Sequence, residues 1–155
     1  MAIDEPYWDF VGPVWDQIDI YSGEDAFTKS FLKARREVGL LYAAFWCQSE
    51  VCNGGLLQFF GNPTGVLAPE AVEGFRDIGQ PQVSDLLADA MALLGLPYER
   101  DHERRNQLLD LLPDDTYDRI ARPYGDLNQK FFELIASESG GFDAAANEYA
   151  RRIAI

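Results

Sequence analysis

Apolar residues recur at intervals of three and four positions through most of the chain, and this spacing predicts α-helices. In residues 24–51 they include Phe27, Phe31 and Val38, which share one helix face. This stretch predicts the longest helix, roughly over residues 24–51. Strict alternation of apolar and polar residues, which marks a half-buried strand, is not convincing anywhere. The pattern therefore predicts an all-α protein, a compact bundle of about seven or eight helices.

Proline and glycine residues mark the boundaries of the other predicted helices, because proline favours the first helical position and glycine the position after the last. Pro69 opens a predicted helix that stops at Gly79, and Pro81 opens a second that ends before Gly95. Further helices are predicted over residues 103–112, 116–123, 127–139 and 142–153. No linker or internal repeat divides the 155 residues. We therefore expect a single helical domain over residues 1–155.

The composition places the chain among globular proteins and limits its partners. Hydrophobic residues make up 47% and aromatic residues 13%, which is enough to form a core. The formal net charge is −13, so phosphate groups of nucleic acids and anionic lipids would be repelled. We expect no direct nucleic-acid binding and no membrane binding. An apolar targeting or membrane segment is missing from the sequence, which favours a cytoplasmic location.

The negative charges are concentrated in two regions. The first 28 residues contain seven acidic residues and no lysine or arginine. Residues 1–22 are also rich in aromatic side chains, so we expect this segment to pack on the body with its acids outward. The second region is the pair of central helices, where acids at helical spacing share a face and only Arg76 lies among them.

Acids on one helix face can imitate a row of nucleic-acid phosphates, since side chains at i and i+4 lie ~5–6 Å apart between Cβ atoms. The hypothesis is an acidic binding module that contacts a basic DNA-binding protein, with affinity that weakens as salt rises. The carboxylates predicted to contact this partner are Asp4, Glu5, Asp9, Glu70, Glu73, Asp77, Asp85 and Asp89.

The most unusual sequence is EVCNGGLLQFFGNPTG over residues 50–65. Two adjacent glycines interrupt the helical period and two phenylalanines follow soon after. Asn53 is predicted to cap a new helix that begins near Gly54. Gln58 and Asn62 are predicted to hydrogen-bond backbone groups and so to hold the turn that follows.

This run resembles the signature of a bacterial family of mostly uncharacterised domains that includes a DNA-mimic protein. The residues that match the pattern are Glu50, Val51, Asn53, Gly54, Gly55, Gln58, Phe59, Phe60 and Asn62. The resemblance implies a helical, often dimeric protein without a known cofactor, so a homodimer is expected. It also implies that at least one member presents carboxylates to a DNA-binding protein in place of phosphates. The matching residues themselves are expected to be structural.

Catalytic signatures are weak. His102 is the only histidine and lies in a charged stretch, and the spacing of Cys47 and Cys52 fits neither a zinc site nor a redox pair. We therefore expect no enzyme activity, metal or cofactor. Two alternatives stay open. One is a small-molecule-binding domain or enzyme centred on Asn53, Gln58 and Asn62. The other is an adaptor or immunity-type protein with an apolar interface.

Overall fold

The computed structural model describes residues 5–111 and 117–154, and for residues 117–123 it describes the backbone only. This part of the chain contains nine α-helices and no strand, which confirms the all-α prediction. The helices are α1 Pro6–Val14, α2 Glu24–Lys33, α3 Arg36–Gly54, α4 Leu56–Gly61, α5 Ala68–Asp77, α6 Pro81–Leu94, α7 His102–Asp110, α8 Tyr117–Ser137 and α9 Phe142–Ile153. A 3₁₀ turn, Pro63–Leu67, joins α4 to α5, and another, Glu138–Gly140, joins α8 to α9.

Helix α3 lies at the centre of the fold. Seven consecutive residues from Val38 to Ala44 are buried, so this part of α3 is covered on all sides. Helices α1, α2, α4, α5 and α8 all pack against it. A helix that is apolar around its whole circumference is stable only in such an interior position. The other helices present one apolar stripe to α3 or to each other.

The prediction of one long helix over residues 24–51 is wrong. The chain leaves helical geometry at Ala34 and Arg35, whose ψ angles of 152° and 127° separate α2 from α3. Phe31 and Val38 are both buried, so the apolar spacing continues across the break. No glycine or proline marks the break, so the apolar spacing alone does not reveal it.

The predicted separation of residues 116–123 from residues 127–139 is also wrong, because α8 is continuous from Tyr117 to Ser137. Its buried side chains Tyr124, Phe131 and Ile135 follow one helix face, and burial of that face outweighs the cost of a proline in the helix. The predicted ends of α5 and α6 are confirmed, with Gly79 and Gly95 at positive φ. Thr116 and Leu112, the outer ends of two predicted helices, lie outside the described residues.

The N-terminal helix is anchored by aromatic rings. Helix α1 packs against α3 and α9. The Trp8 ring lies 4.8 Å from the Phe45 ring, and Trp15 lies 4.8 Å from Trp46. Among the described residues, no helix combines the length and apolar character that crossing a bilayer requires.

A close contact between α5 and α3 provides a test of this packing. A Cβ atom added at Gly74 would lie 2.3 Å from the carbonyl oxygen of Leu40, so α5 approaches the backbone of α3 directly. We expect Gly74→Ala to lower the free energy of unfolding by about 1–3 kcal/mol through overpacking. Gly12→Ala is the control, since nothing lies within 4 Å of its added Cβ. Urea denaturation that shows equal effects of the two substitutions would contradict the close contact.

Candidate functional site

The carboxylate of Glu50 organises the signature segment. It accepts hydrogen bonds from Gln58 Nε2 at 2.9 Å, from Asn62 Nδ2 at 3.0 Å and from Thr64 Oγ1 at 3.1 Å. The end of α3 is thereby tied to α4 and to the 3₁₀ turn. The prediction that Gln58 and Asn62 bond backbone groups is therefore wrong, because their amide nitrogens donate to this carboxylate. Hydrogen bonds to a charged group are stronger than neutral ones.

The two signature glycines make the sharp junction between α3 and α4. Gly55 has φ +89°, a conformation that other residues rarely adopt. The first amide of α4, Leu56 N, donates to Asn128 Oδ1 of α8 at 2.8 Å. The prediction that Asn53 caps this helix is wrong, since α3 continues through Asn53 and this residue is exposed. The cap comes from a residue 72 positions away, for which the sequence near the junction holds no signal.

Arg105 holds the opposite side of the same segment. Its side chain is fully buried and donates to the carbonyl oxygens of Phe60 at 2.7 Å and Asn62 at 2.9 Å. It also donates to the carbonyl of Arg100 at 2.7 Å. Burial lowers the pKa of the guanidinium from its ordinary value, and the group still remains charged. Asn62 thus bonds to both charged groups: its backbone carbonyl accepts from Arg105, and its side-chain amide donates to Glu50.

Neighbours of Arg105 bind the same stretch of backbone. His102 Nε2 donates to Gly61 O at 2.7 Å, Tyr98 Oη donates to Gly65 O at 2.7 Å, and Arg100 Nη1 donates to Val66 O at 2.9 Å. Residues 98–105 therefore satisfy the carbonyl groups at the end of α4 and in the turn after it. These carbonyls carry the negative end of the helix dipole, which favours cationic donors. In the sequence this segment is distinguished only by its charged residues, so its role was not predicted.

This geometry leaves the signature little capacity for a ligand. The amide nitrogens of Gln58 and Asn62 are directed at Glu50, while Asn53 is exposed on the last turn of α3. The three residues proposed as the centre of a small-molecule site therefore do not converge. Among the described residues, no group of three or more histidine, cysteine or acidic side chains is placed to hold a metal ion.

The acids of α5 are paired with arginines. Glu70 forms a bidentate ion pair with Arg100 at 2.7 and 2.8 Å, and its side chain is only 16% exposed. Glu73 pairs with Arg36. The expectation that these acids lack cationic partners is wrong, because Arg36 comes from α3 and Arg100 from the loop before α7, both distant in sequence. Asp77 is exposed, and its carbonyl oxygen accepts a hydrogen bond from Arg152 at 3.3 Å.

The described N-terminal acids of the predicted contact set, Glu5 and Asp9, lie at helix α1. Glu5 precedes α1 and is half-buried, whereas Asp9 is exposed. Burial raises the pKa of Tyr7, and the charges of Asp143 and Glu5 raise it further. Asp4 lies outside the described residues. Helix α1, which follows Glu5 and contains Asp9, packs on α3 and α9, whereas Asp85 and Asp89 lie on the side of α6 that faces α8.

The acids of α6 line a groove with acids of α8. Asp85 and Asp89 lie along one side, and Asp126 and Glu133 along the other. Asp85 pairs with Arg76 at 2.9 Å, while no described cation lies within ion-pair distance of the other three carboxylates. Sequence reasoning found the α6 acids and missed Asp126 and Glu133, which the i, i+7 spacing on one helix could have indicated.

The match to a family model identifies the chain. The model described as DMP19-like protein matches residues 34–153. The chain belongs to the DMP19-like protein family. This confirms the resemblance drawn from the signature. No curated protein and no solved structure matches the chain. The DMP19-like match extends from the start of α3 to the end of α9, so it contains both the signature segment and the α6–α8 groove.

Arg105 gives a direct test of the signature's support. We expect Arg105→Gln to lower the free energy of unfolding by about 2–4 kcal/mol, because the buried carbonyls of Phe60 and Asn62 lose their donors. Arg104→Gln, one residue earlier on the exposed face of α7, should change it by less than about 0.5 kcal/mol. Urea denaturation measures both. A mild effect at Arg105, similar to that at Arg104, would show that the carbonyls do not depend on the guanidinium.

Proposed function

We propose that this DMP19-like protein is an acidic binding module that occupies the DNA site of a basic DNA-binding protein. Membership of a family related to DNA mimic protein 19 supports this role. The net charge of −13 supports it as well, because an acidic surface attracts a basic partner and repels DNA itself. The proposal assigns binding, and no reaction, to the protein.

The observation that carries the proposal is the pair of acidic rows at the α6–α8 groove. Asp85 and Asp89 are separated by one helical turn, and Asp126 and Glu133 by two turns, or about 10 Å along the axis. Packed helices lie ~8–10 Å apart. Two roughly parallel rows of negative charge at such spacings are what a protein meets at the two phosphate backbones of a DNA groove.

This assignment revises the set of acids expected to contact the partner. Asp85 and Asp89 stay in the proposed surface, and Asp126 and Glu133 join them. Glu70 leaves it, because its side chain is only 16% exposed and its carboxylate is bound to Arg100. Glu5, Asp9, Glu73 and Asp77 do not line this groove, so we propose at most a long-range electrostatic contribution from them.

The sulfur and imidazole groups give further support to binding over catalysis. Burial raises the pKa of the Cys47 thiol well above its ordinary value and also raises that of Cys52. A raised pKa keeps a thiol protonated and weakly nucleophilic. His102, the only histidine, donates to the backbone at Gly61.

An affinity capture tests the proposed function. Immobilised protein should capture DNA-binding proteins from a bacterial lysate at low salt, and excess duplex DNA should release them because both compete for one site. The triple variant Asp89→Asn, Asp126→Asn, Glu133→Gln should capture at least about tenfold less, since three charges near the contact are lost.

The matched control removes the same number of charges elsewhere on the exposed surface, with Asp16→Asn, Asp25→Asn and Glu103→Gln. It should retain most of the captured protein. Captured proteins that stay bound in excess DNA would contradict the proposal of a shared DNA site. Equal loss in both triple variants would show that net charge alone, and not the groove, governs binding.

A further inference from the structure

The groove between α6 and α8 has an apolar floor as well as acidic rims. Leu86 lies at its base, Leu127 and Leu134 are half-buried along α8, and Leu93 is 51% exposed at one end. Two adjoining hollows, each of about 460 Å³, share Asp89, Leu127 and Lys130. A row of incompletely covered leucines between charged rims is typical of a surface that binds another helix.

The charges on the rims define the occupant. Four carboxylates face the groove, and Lys130 is the one basic residue among the described side chains that line it. A partner helix with acidic flanks would be repelled, and one with neutral flanks would leave Asp89, Asp126 and Glu133 without an ion-pair partner among the described residues, whereas Asp85 already pairs with Arg76 at the exposed rim. Lysine or arginine on both sides of an apolar stripe complements both rims and the floor at once.

The dimensions fit a helix of ordinary length. Leu86 and Leu93 are seven residues apart on α6, as are Leu127 and Leu134 on α8, so each pair spans about 10 Å along its axis. Apolar side chains at i, i+3, i+4 and i+7 of a third helix cover the same length. An extended basic tail would pair with the carboxylates but would leave most of the leucine floor exposed.

We propose that the α6–α8 groove binds a basic amphipathic helix of the partner, with its apolar face on the leucine floor and its cations on Asp85, Asp89, Asp126 and Glu133. The proposal rests on the proposed function and adds to it the element of the partner that is recognised. Binding then depends on apolar contact as well as on charge. A recognition mode based on charge alone would not depend on the leucines.

The test uses a fluorescein-labelled synthetic peptide of about 18 residues, with leucines at i, i+3, i+4 and i+7 and lysines on both flanks. Two further peptides serve as probes: one with the same composition in an order that gives no apolar face, and an oligolysine of the same charge. Fluorescence anisotropy should show that the amphipathic peptide binds at least about tenfold more tightly than either.

Paired variants locate the contact. Leu93→Gln should weaken binding of the amphipathic peptide by about fivefold or more, whereas Leu96→Gln, whose leucine is 72% exposed outside the groove, should not. Glu133→Gln should weaken binding and reduce its salt dependence, while Glu103→Gln should change neither. Leu93 and Leu96 are both exposed, so circular dichroism should confirm that both variants fold.

The outcomes separate this proposal from the proposed function. Equal affinity for all three peptides, or no effect of Leu93→Gln, would overturn the helix-binding groove even if DNA-binding proteins are captured from the lysate. Selective binding of the amphipathic peptide at the groove, without capture of any DNA-binding protein, would support the groove and overturn the role as a DNA mimic.

Discussion

The hydrogen bonds of arginine to backbone carbonyl oxygens are the interactions on which this structure depends. Arg105 binds the carbonyls of Phe60 and Asn62, Arg100 binds that of Val66, and Arg35 binds that of Ile153 at 2.6 Å. The chain has only 13 basic residues against 26 acidic ones. Among the described residues, the Arg105 guanidinium contacts carbonyl groups and no carboxylate, whereas Arg100 and Arg35 also pair with Glu70 and Glu37. The charge of Arg105 is thus used inside the fold, which leaves one basic residue fewer to pair with acids at the surface.

The family signature has a physical meaning in this arrangement. Glu50 accepts hydrogen bonds from three side chains of the segment that follows it, and Arg105 donates hydrogen bonds to carbonyl oxygens on the other side of the same segment. Asn62 takes part in both sets of bonds. A buried cation stabilises a fold only when its donors are satisfied, so the turn and α7 must form together. The signature thus specifies how α3, α4 and α7 meet, and the proposed binding surface lies on other helices.

The sequence was sufficient to predict what depends on local spacing. The helical class, the family and the ends of α5 and α6 follow from apolar periodicity, the signature and the positions of proline and glycine. The break at Ala34 and the continuity of α8 could not be predicted from these local signals. In the first case no glycine or proline marks the boundary. In the second, burial of one face of α8 outweighs the effect of the proline.

The candidate site shows the same limit more strongly. Acids on α5 and α6 were equally good candidates by spacing, yet Glu70 is bound to Arg100 and Asp89 faces a groove. Arg100 lies 30 positions from Glu70, and Asp126, across the groove from Asp89, lies further still along the chain. No local pattern distinguishes the two cases. The cap supplied by Asn128 and the buried bonds of Arg105 were missed for the same reason. Spacing gives the face of a helix, and the tertiary fold decides what that face meets.

The central claim is that the partner binds at the α6–α8 groove. Hydrogen–deuterium exchange of the protein, measured alone and in complex with a captured DNA-binding protein, tests it most directly because exchange reports protection segment by segment. The account predicts slower exchange in peptides that cover α6 and residues 124–137 of α8. Protection confined to α1 or α5, with α6 and α8 unchanged, would contradict it.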